Sequence, residues 1–302
     1  GNKLLRNENG RFKDVSQEAG IFSSKIGYGL GITLSDINMD GWTDVFVSND
    51  FFERDYLYIN NQDGTFTEKG QSYFDAMSMG SMGADASDID NDLMPDLFVT
   101  EMLPQNLERK KTKNIYETWD KYLEATKNSY HHQLSRNVLQ KNLNGGKFLE
   151  IGRFSGVSAT DWSWASLIQD YDNDGLRDLF VSNGIYKDLL DKDYLNYSAN
   201  TSMIKSKIDN NEKVLTMLVD SLPSNPIKNN MFKNIGNMQF QMVSDDWGLG
   251  QATFSNGSAY GDLDNDGDLD LVVNNVNMPS YVYRNNSDTI SYKSIRIKLI
   301  GD

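Results

Sequence analysis

At 302 residues the chain exceeds a typical single core of roughly 100–150 residues, yet it stays within reach of one large all-β domain. Its 29 basic and 43 acidic residues give a formal charge of −14, which excludes a nucleic-acid backbone as main partner, since such binding rests on Lys and Arg displacing counterions from phosphates. The absence of cysteine excludes disulfides, thiol catalysis and Cys-based zinc sites, and no apolar run reaches the ~20 residues of a membrane helix.

The chain opens on a hairpin pattern, Leu4-Leu5-Arg6-Asn7-Glu8-Asn9-Gly10-Arg11-Phe12. Beginning 24 residues after Phe12 comes an acidic turn, Asp36-Ile37-Asn38-Met39-Asp40-Gly41-Trp42-Thr43-Asp44, which runs into Val45-Phe46-Val47. A second hairpin, Leu57 to Phe66 with Asp63-Gly64 at its tip, follows the strand. The pattern then recurs at an offset of 22 residues from each hairpin Phe. Asp88, Asp90, Asp92 and Asp96 precede Leu97-Phe98-Val99 and the hairpin ending at Phe148. Asp170, Asp172, Asp174 and Asp178 precede Leu179-Phe180-Val181 and the hairpin ending at Phe240. Asp262, Asp264, Asp266 and Asp270 precede Leu271-Val272-Val273. Each unit of about fifty residues is strand, acidic loop, strand, hairpin, the pattern of a β-propeller blade with four antiparallel strands. The predicted fold is all-β, a propeller of four to five blades over residues 1–290 that forms part of a larger ring.

Two insertions follow the second strand of a blade. Residues 102–132 carry Ile115, Trp119, Tyr122, Leu123 and Tyr130 at helical spacing, and residues 185–228 carry Ile204, Ile208, Leu215, Leu218, Val219 and Leu222. Pro223 and Pro226 end the second helix. Both helices are expected to lay an apolar stripe on the propeller rim.

Side-chain oxygens at positions 1, 3, 5 and 9 of such a turn, with a main-chain carbonyl near position 7, suit a hard cation that takes six to eight oxygen ligands. Calcium is the expected ion, at up to four sites: Asp36, Asn38, Asp40 and Asp44, then the three all-aspartate sets above. Magnesium fits less well, because it keeps water in a strict octahedron. An EF-hand would need a Glu at position 12 and flanking helices; position 12 is Val47, Val99, Val181 and Val273, each in a predicted strand. Asp-rich turns held only by side-chain-to-backbone bonds are the bland reading, and four copies in register weigh against it. The ligand positions hold 15 of the 43 acidic residues, and four calcium ions would bring the formal charge from −14 to −6. The site at Asp88–Asp96 is expected to be the weakest, because Leu93 replaces the turn glycine and Pro95 stiffens the next step. The first loop, with Asn38, is expected to rank below the third and fourth. Sites with Kd on the order of 10⁻⁴–10⁻³ M would fill outside the cytoplasm and stand nearly empty at cytosolic calcium.

The repeated D-x-(D/N)-x-D-G-x-x-D before an apolar strand resembles the FG-GAP/VCBS repeat. Val99-Thr100-Glu101-Met102-Leu103-Pro104, Tyr130-His131-His132-Gln133 and Asp161-Trp162-Ser163-Trp164-Ala165 are similar to the CRTAC1-like (ASPIC/UnbV-associated) proteins of Bacteroidota. Residues 291–302 resemble the opening strand of the ASPIC/UnbV domain, with a closing strand of the propeller as the alternative. The resemblance implies a ring of about seven blades, part of a longer protein that is extracellular, periplasmic or outer-membrane-associated, and it implies no established reaction.

No catalytic constellation stands out. His131 and His132 are adjacent, so they point apart and read as structural. Ser202-Met203-Ile204-Lys205 has a Ser-x-x-Lys spacing without companion motifs. Trp162 and Trp164 read first as packing between blades, with sugar stacking as the alternative. Arg109, Lys110, Lys111 and Lys113 read as a solvated helix face. The sequence therefore points to a non-catalytic calcium-binding scaffold or binding module at the cell envelope or outside the cell, with a protein or glycan partner. The alternative is a carbohydrate-binding propeller or the accessory domain of a polysaccharide-active enzyme.

Overall fold

Alternating apolar residues beside each acidic loop become strands in a computed structural model, which describes residues 1–51, 53–113, 118–199, 214–287, 297 and 300. Strands β1 (Leu5–Glu8) and β2 (Arg11–Asp14) form the first hairpin. The first blade is β3 (Tyr28–Ser35), β4 (Asp44–Asp50), β5 (Tyr56–Asn60) and β6 (Phe66–Glu68), paired in that order. After the short β7 (Met77–Ser78), the second blade is β8 (Ala84–Ser87), β9 (Asp96–Val99), β11 (Val138–Asn142) and β12 (Phe148–Glu150). Between β9 and β11, β10 (Gln133–Leu134) returns to pair in parallel with β7. The third blade is β13 (Ser163–Gln169), β14 (Asp178–Asn183), β16 (Asn230–Asn234) and β17 (Phe240–Met242). The two-residue strands β15 (Ile227–Lys228) and β18 (Ala252–Thr253) pair beside it. The fourth blade shows β19 (Ser255–Gly261), β20 (Asp270–Asn275) and β21 (Tyr281–Tyr283). All blade pairings are antiparallel, and β3, β8, β13 and β19 lie successively side by side, so the four sheets form a propeller arrangement.

The core lies between successive sheets. Ile37, Phe46, Leu57 and Ile59 of the first blade pack on Leu97, Val99, Val138 and Phe148 of the second. Ile89, Phe98 and Leu139 then meet Ile168, Leu179 and Phe232, and Tyr171, Phe180 and Met231 meet Leu271 and Val273. Each second strand is covered on both faces, which explains its unbroken apolar Leu-Phe-Val run. Hydroxyls stitch the inner strands: Thr33 donates to the Ala84 carbonyl (2.8 Å), Thr100 to Trp164 (3.0 Å) and Ser182 to Asn256. At Gly83 a Cβ would sit 2.3 Å from the Trp164 carbonyl, so only glycine permits that approach.

Both insertions are helical, as the spacing predicts. Among the described residues, 102–132 carry helices Leu107–Lys113 and Trp119–Lys127, the second capped by Thr118. Residues 185–228 hold Lys192–Ser198, capped by Asp191, and Val214–Asp220. Trp119 is 68% exposed and covers no rim, while Leu222 is buried beyond the helix end. Ile115, Ile204, Ile208, the Ser202–Lys205 motif and most of 291–302 lie outside the described residues.

Among the described residues, charge ties the insertions down. Arg109 donates through Nη2 to Asp161 (2.7 Å) and lies 3.6 Å from Asp188. Lys113 pairs with Asp188 (3.5 Å) and Asp191, and Lys192 donates to the Lys111 carbonyl (2.7 Å). Arg109 and Lys113 therefore do not form the solvated face expected from sequence. They dock the first insertion onto acidic residues at and beyond the start of the third blade.

Candidate metal centres

Each acidic loop turns through two left-handed residues, at positions 4 and 6. Met39, Asn91, Asn173 and Asn265 occupy the first with φ of 58–63°, and Gly41, Gly175 and Gly267 occupy the second with φ of 87–101°. In the first three loops the chain folds back so that the position-1 carboxylate accepts the amides of positions 5 and 6. In the third loop Asp170 accepts from Asp174 (3.1 Å) and Gly175 (2.9 Å), and in the first Asp36 accepts from Asp40 (3.0 Å) and Gly41 (2.8 Å). The second loop closes equally well, with Asp88 accepting from Asp92 and Leu93 at 3.0 Å each. Leu93 does not spoil the turn, contrary to the expectation from its sequence; it adopts φ 71° and carries the strain instead.

Position 9 does work the sequence did not disclose. Asp44, Asp96, Asp178 and Asp270 are at most 2% exposed. One oxygen of each accepts the amide of position 2: Ile37 (2.9 Å), Ile89 (3.2 Å), Tyr171 (3.1 Å) and Leu263 (3.0 Å). The other accepts the amide of a hairpin asparagine: Asn60, Asn142, Asn234 and Asn285, at 2.8–2.9 Å. The amide groups of Asn142, Asn234 and Asn285 reach on to the carbonyls of Ile37, Ile89 and Tyr171 in the preceding blade (3.0, 3.0 and 2.6 Å). Asp and Asn thus form a latch that joins loop, hairpin and neighbouring sheet. Burial pushes the Asp96 and Asp178 carboxyls up to about 7.

Ligand positions converge in the second, third and fourth loops. One oxygen from each of Asp88, Asp90 and Asp92 lies within 4.8 Å of the others, as do those of Asp170, Asp172 and Asp178, and of Asp262, Asp264 and Asp266. In the first loop, where position 3 is Asn38, that side chain donates to Asp40 (3.0 Å), which also takes the Gln62 amide (3.3 Å). The donor set is oxygen throughout, and Oδ1 of Asp90 is buried without a hydrogen-bond partner. Such a set fits a divalent cation with oxygen ligands, which would cross-link the turn when bound.

Basic side chains at these loops escaped the sequence reading. Lys141 contacts Asp90 and lies 3.3 Å from Asp92; Lys233 contacts Asp172 and lies 2.9 Å from Asp174. Arg284 lies 2.9 Å from Asp264 and 3.4 Å from Asp266. The available signal was position: each immediately precedes a latch asparagine.

The other candidates make contacts within the fold. His131 bonds the Phe74 carbonyl through Nε2 (2.7 Å), and His132 Nδ1 meets the Tyr122 hydroxyl (2.5 Å). Trp162 and Trp164 are half-buried, and Trp164 donates to the Gly184 carbonyl (2.6 Å).

Residues 36–99, which span the first two loops and the hairpin between them, match the family described as an FG-GAP-like repeat. A search of curated proteins gives no match. Among solved structures, one of an Agrocybe aegerita lectin, titled for specific recognition of non-reducing terminal N-acetylglucosamine, aligns over 92% of this chain and 69% of its own, at 14% identity and a TM-score of 0.32. The chain is a β-propeller that carries an FG-GAP-like repeat at residues 36–99 and repeats the same left-handed turn in its third and fourth blades.

Proposed function

We propose that the chain is a calcium-stapled binding module that works outside the cytoplasm, with its partner held at the strand ends opposite the acidic loops. The observation that carries this reading is a cleft of about 460 Å³ lined by Ile26, Met79, Tyr122, Tyr130, His131 and Gln133. Strand β3 runs from Tyr28 toward the first loop, so Ile26 marks the opposite end of the blade, where the first insertion also packs. Fixed loops at one end and an insertion-lined cleft at the other suit a rigid scaffold that presents a variable face.

At about 1 mM free calcium, a site with Kd on the order of 10⁻⁴–10⁻³ M adds roughly 0.4–1.4 kcal/mol. A thermal melt with calcium and with chelator tests the staple. The expected result is a midpoint several degrees lower in chelator, and coincident midpoints would sink it. Among the described residues no helix is long and apolar enough to cross a membrane.

A glycan is the second reading for the partner. Trp119 stacks on Tyr122 with centroids 5.1 Å apart and stays 68% exposed beside the cleft, a surface that a sugar face can cover. Trp119→Ala should then abolish signal on a glycan array; a blank array with the native chain would leave a protein partner.

A further inference from the structure

Comparison of the four loops with the residue ahead of each latch asparagine shows a paired substitution. Where position 3 is Asp90, Asp172 or Asp264, that residue is Lys141, Lys233 or Arg284, and it contacts the position-3 carboxylate. Where position 3 is the neutral Asn38, it is Ile59, buried between the first two blades. Charged partners occur together and neutral partners occur together. An exposed lysine serving only solubility would have no reason to follow the residue at position 3.

We infer that Lys141, Lys233 and Arg284 are tethered counter-ions that hold the second, third and fourth loops closed without metal and set how tightly those loops take calcium. This rests on the calcium reading above and deepens it. Each cation lies on the carboxylates of positions 3 and 5, the oxygens a divalent ion would need. Calcium must therefore displace it or share the site with it, whereas in the first loop the ion meets only the neutral amides of Asn38 and Gln62 on Asp40. Two positive groups within a few ångströms repel, and the cation is bound to the same strand as the latch, so it returns whenever the ion leaves. The ranking from carboxylate number, which set the first loop below the third and fourth, is reversed. The first loop becomes the tightest, and the others act as sites that calcium reinforces without creating.

The test is calcium titration by calorimetry into the metal-stripped chain, alongside melts in chelator, for the native protein and for Lys141→Met and Lys233→Met. The expected result is a tightening of one site by about tenfold in each variant, with a lower melting midpoint in chelator because the carboxylates lose their counter-ion. Should a variant fold poorly, Asp90→Asn combined with Lys141→Met reproduces the neutral pair of the first loop; it should restore the chelator midpoint. Native calcium binding with unchanged affinities in the lysine variants overturns the inference and leaves the calcium reading standing. Binding by the variants alone upholds the inference and removes calcium as the native staple. Silence in all of them overturns both.

Discussion

At the loop-bearing end of the propeller every blade closes with the same latch, a buried aspartate shared between position 2 and a hairpin asparagine. At the opposite end a second latch repeats, but its chemistry drifts. The amides at the ends of the second strands, those of Asn49, Glu101 and Asn183, are received by Asp55, Asn137 and Asn229 (2.8, 2.7 and 2.8 Å). Asn137 and Asn229 pass a bond on to Thr160 (2.6 Å) and Ser255 (2.9 Å), whereas Asp55 receives one from Ser81 (2.8 Å). One end repeats its residue types because geometry leaves no freedom there. The other tolerates carboxyl for amide, and it carries both insertions and the cleft. On the proposed function, structural duty and recognition would be divided between the two ends of the same strands.

The largest effect expected from this division belongs to the loop end. Asp178→Ala leaves the buried amides of Tyr171 and Asn234 without acceptors, at a cost of about 3 kcal/mol. Denaturant unfolding in chelator isolates this from any bound ion. A loss below about 1 kcal/mol would make the latch ornamental and break the comparison. Next comes the charge that docks the insertions: Arg109→Met strips partners from Asp161 and Asp188, both under 10% exposed. About 2 kcal/mol is expected, read as faster limited proteolysis within residues 102–132 while the sheets stay resistant.

A third test concerns the drifted latch itself. Asp55 is fully buried, and burial raises its carboxyl to about 7, against an unfolded value near ~4. The folded chain therefore holds more protons than the unfolded one between those values. Stability from this group is fully present below pH ~4 and is lost as pH climbs toward 7. Asp55→Asn restores the residue used at 137 and 229, with its amide donating to Ser81. It should stabilise the protein by about 1–2 kcal/mol at pH 8 and flatten the stability profile between pH 4 and 7. A profile identical to that of the native chain would show that the drift has no electrostatic cost.

The repeat made the blades legible from sequence, because a 22-residue offset between hairpin Phe and loop Asp can be counted without coordinates. Strand order followed from it, and so did the turn geometry at Gly41, Gly175 and Gly267. What stayed hidden depends on approach through space. Asp44 and Asp36 look alike in a motif, yet only the fold reveals that Asp36 takes amides of its own turn while Asp44 reaches out of it to the hairpin amide of Asn60. The pairing of Arg109 with Asp161 spans 52 residues, so the basic run read as solvated when viewed along its own helix. Lys141 was visible only as one lysine among many until its neighbour Asn142 became a latch residue.

Leu93 offers the smallest and cleanest measurement. The loops share one backbone path, and at position 6 three of them use glycine at φ 87–101° while the second uses leucine at φ 71°. Left-handed backbone costs a residue with a Cβ roughly 1–2 kcal/mol, and Leu93 is 78% exposed, so its side chain returns little through burial. Glycine loses more conformational freedom on folding, about 0.5–1 kcal/mol, which offsets part of the gain. Leu93→Gly should therefore stabilise the chain by about 0.5 kcal/mol, a rise of one or two degrees in the melt. The reverse change separates backbone from packing, since a Cβ at Gly175 would meet nothing within 4 Å. Gly175→Ala should lower the midpoint by a similar amount through backbone strain alone. If both substitutions leave the midpoint unmoved, the left-handed turn is not under strain, and the second loop differs from its neighbours in sequence only.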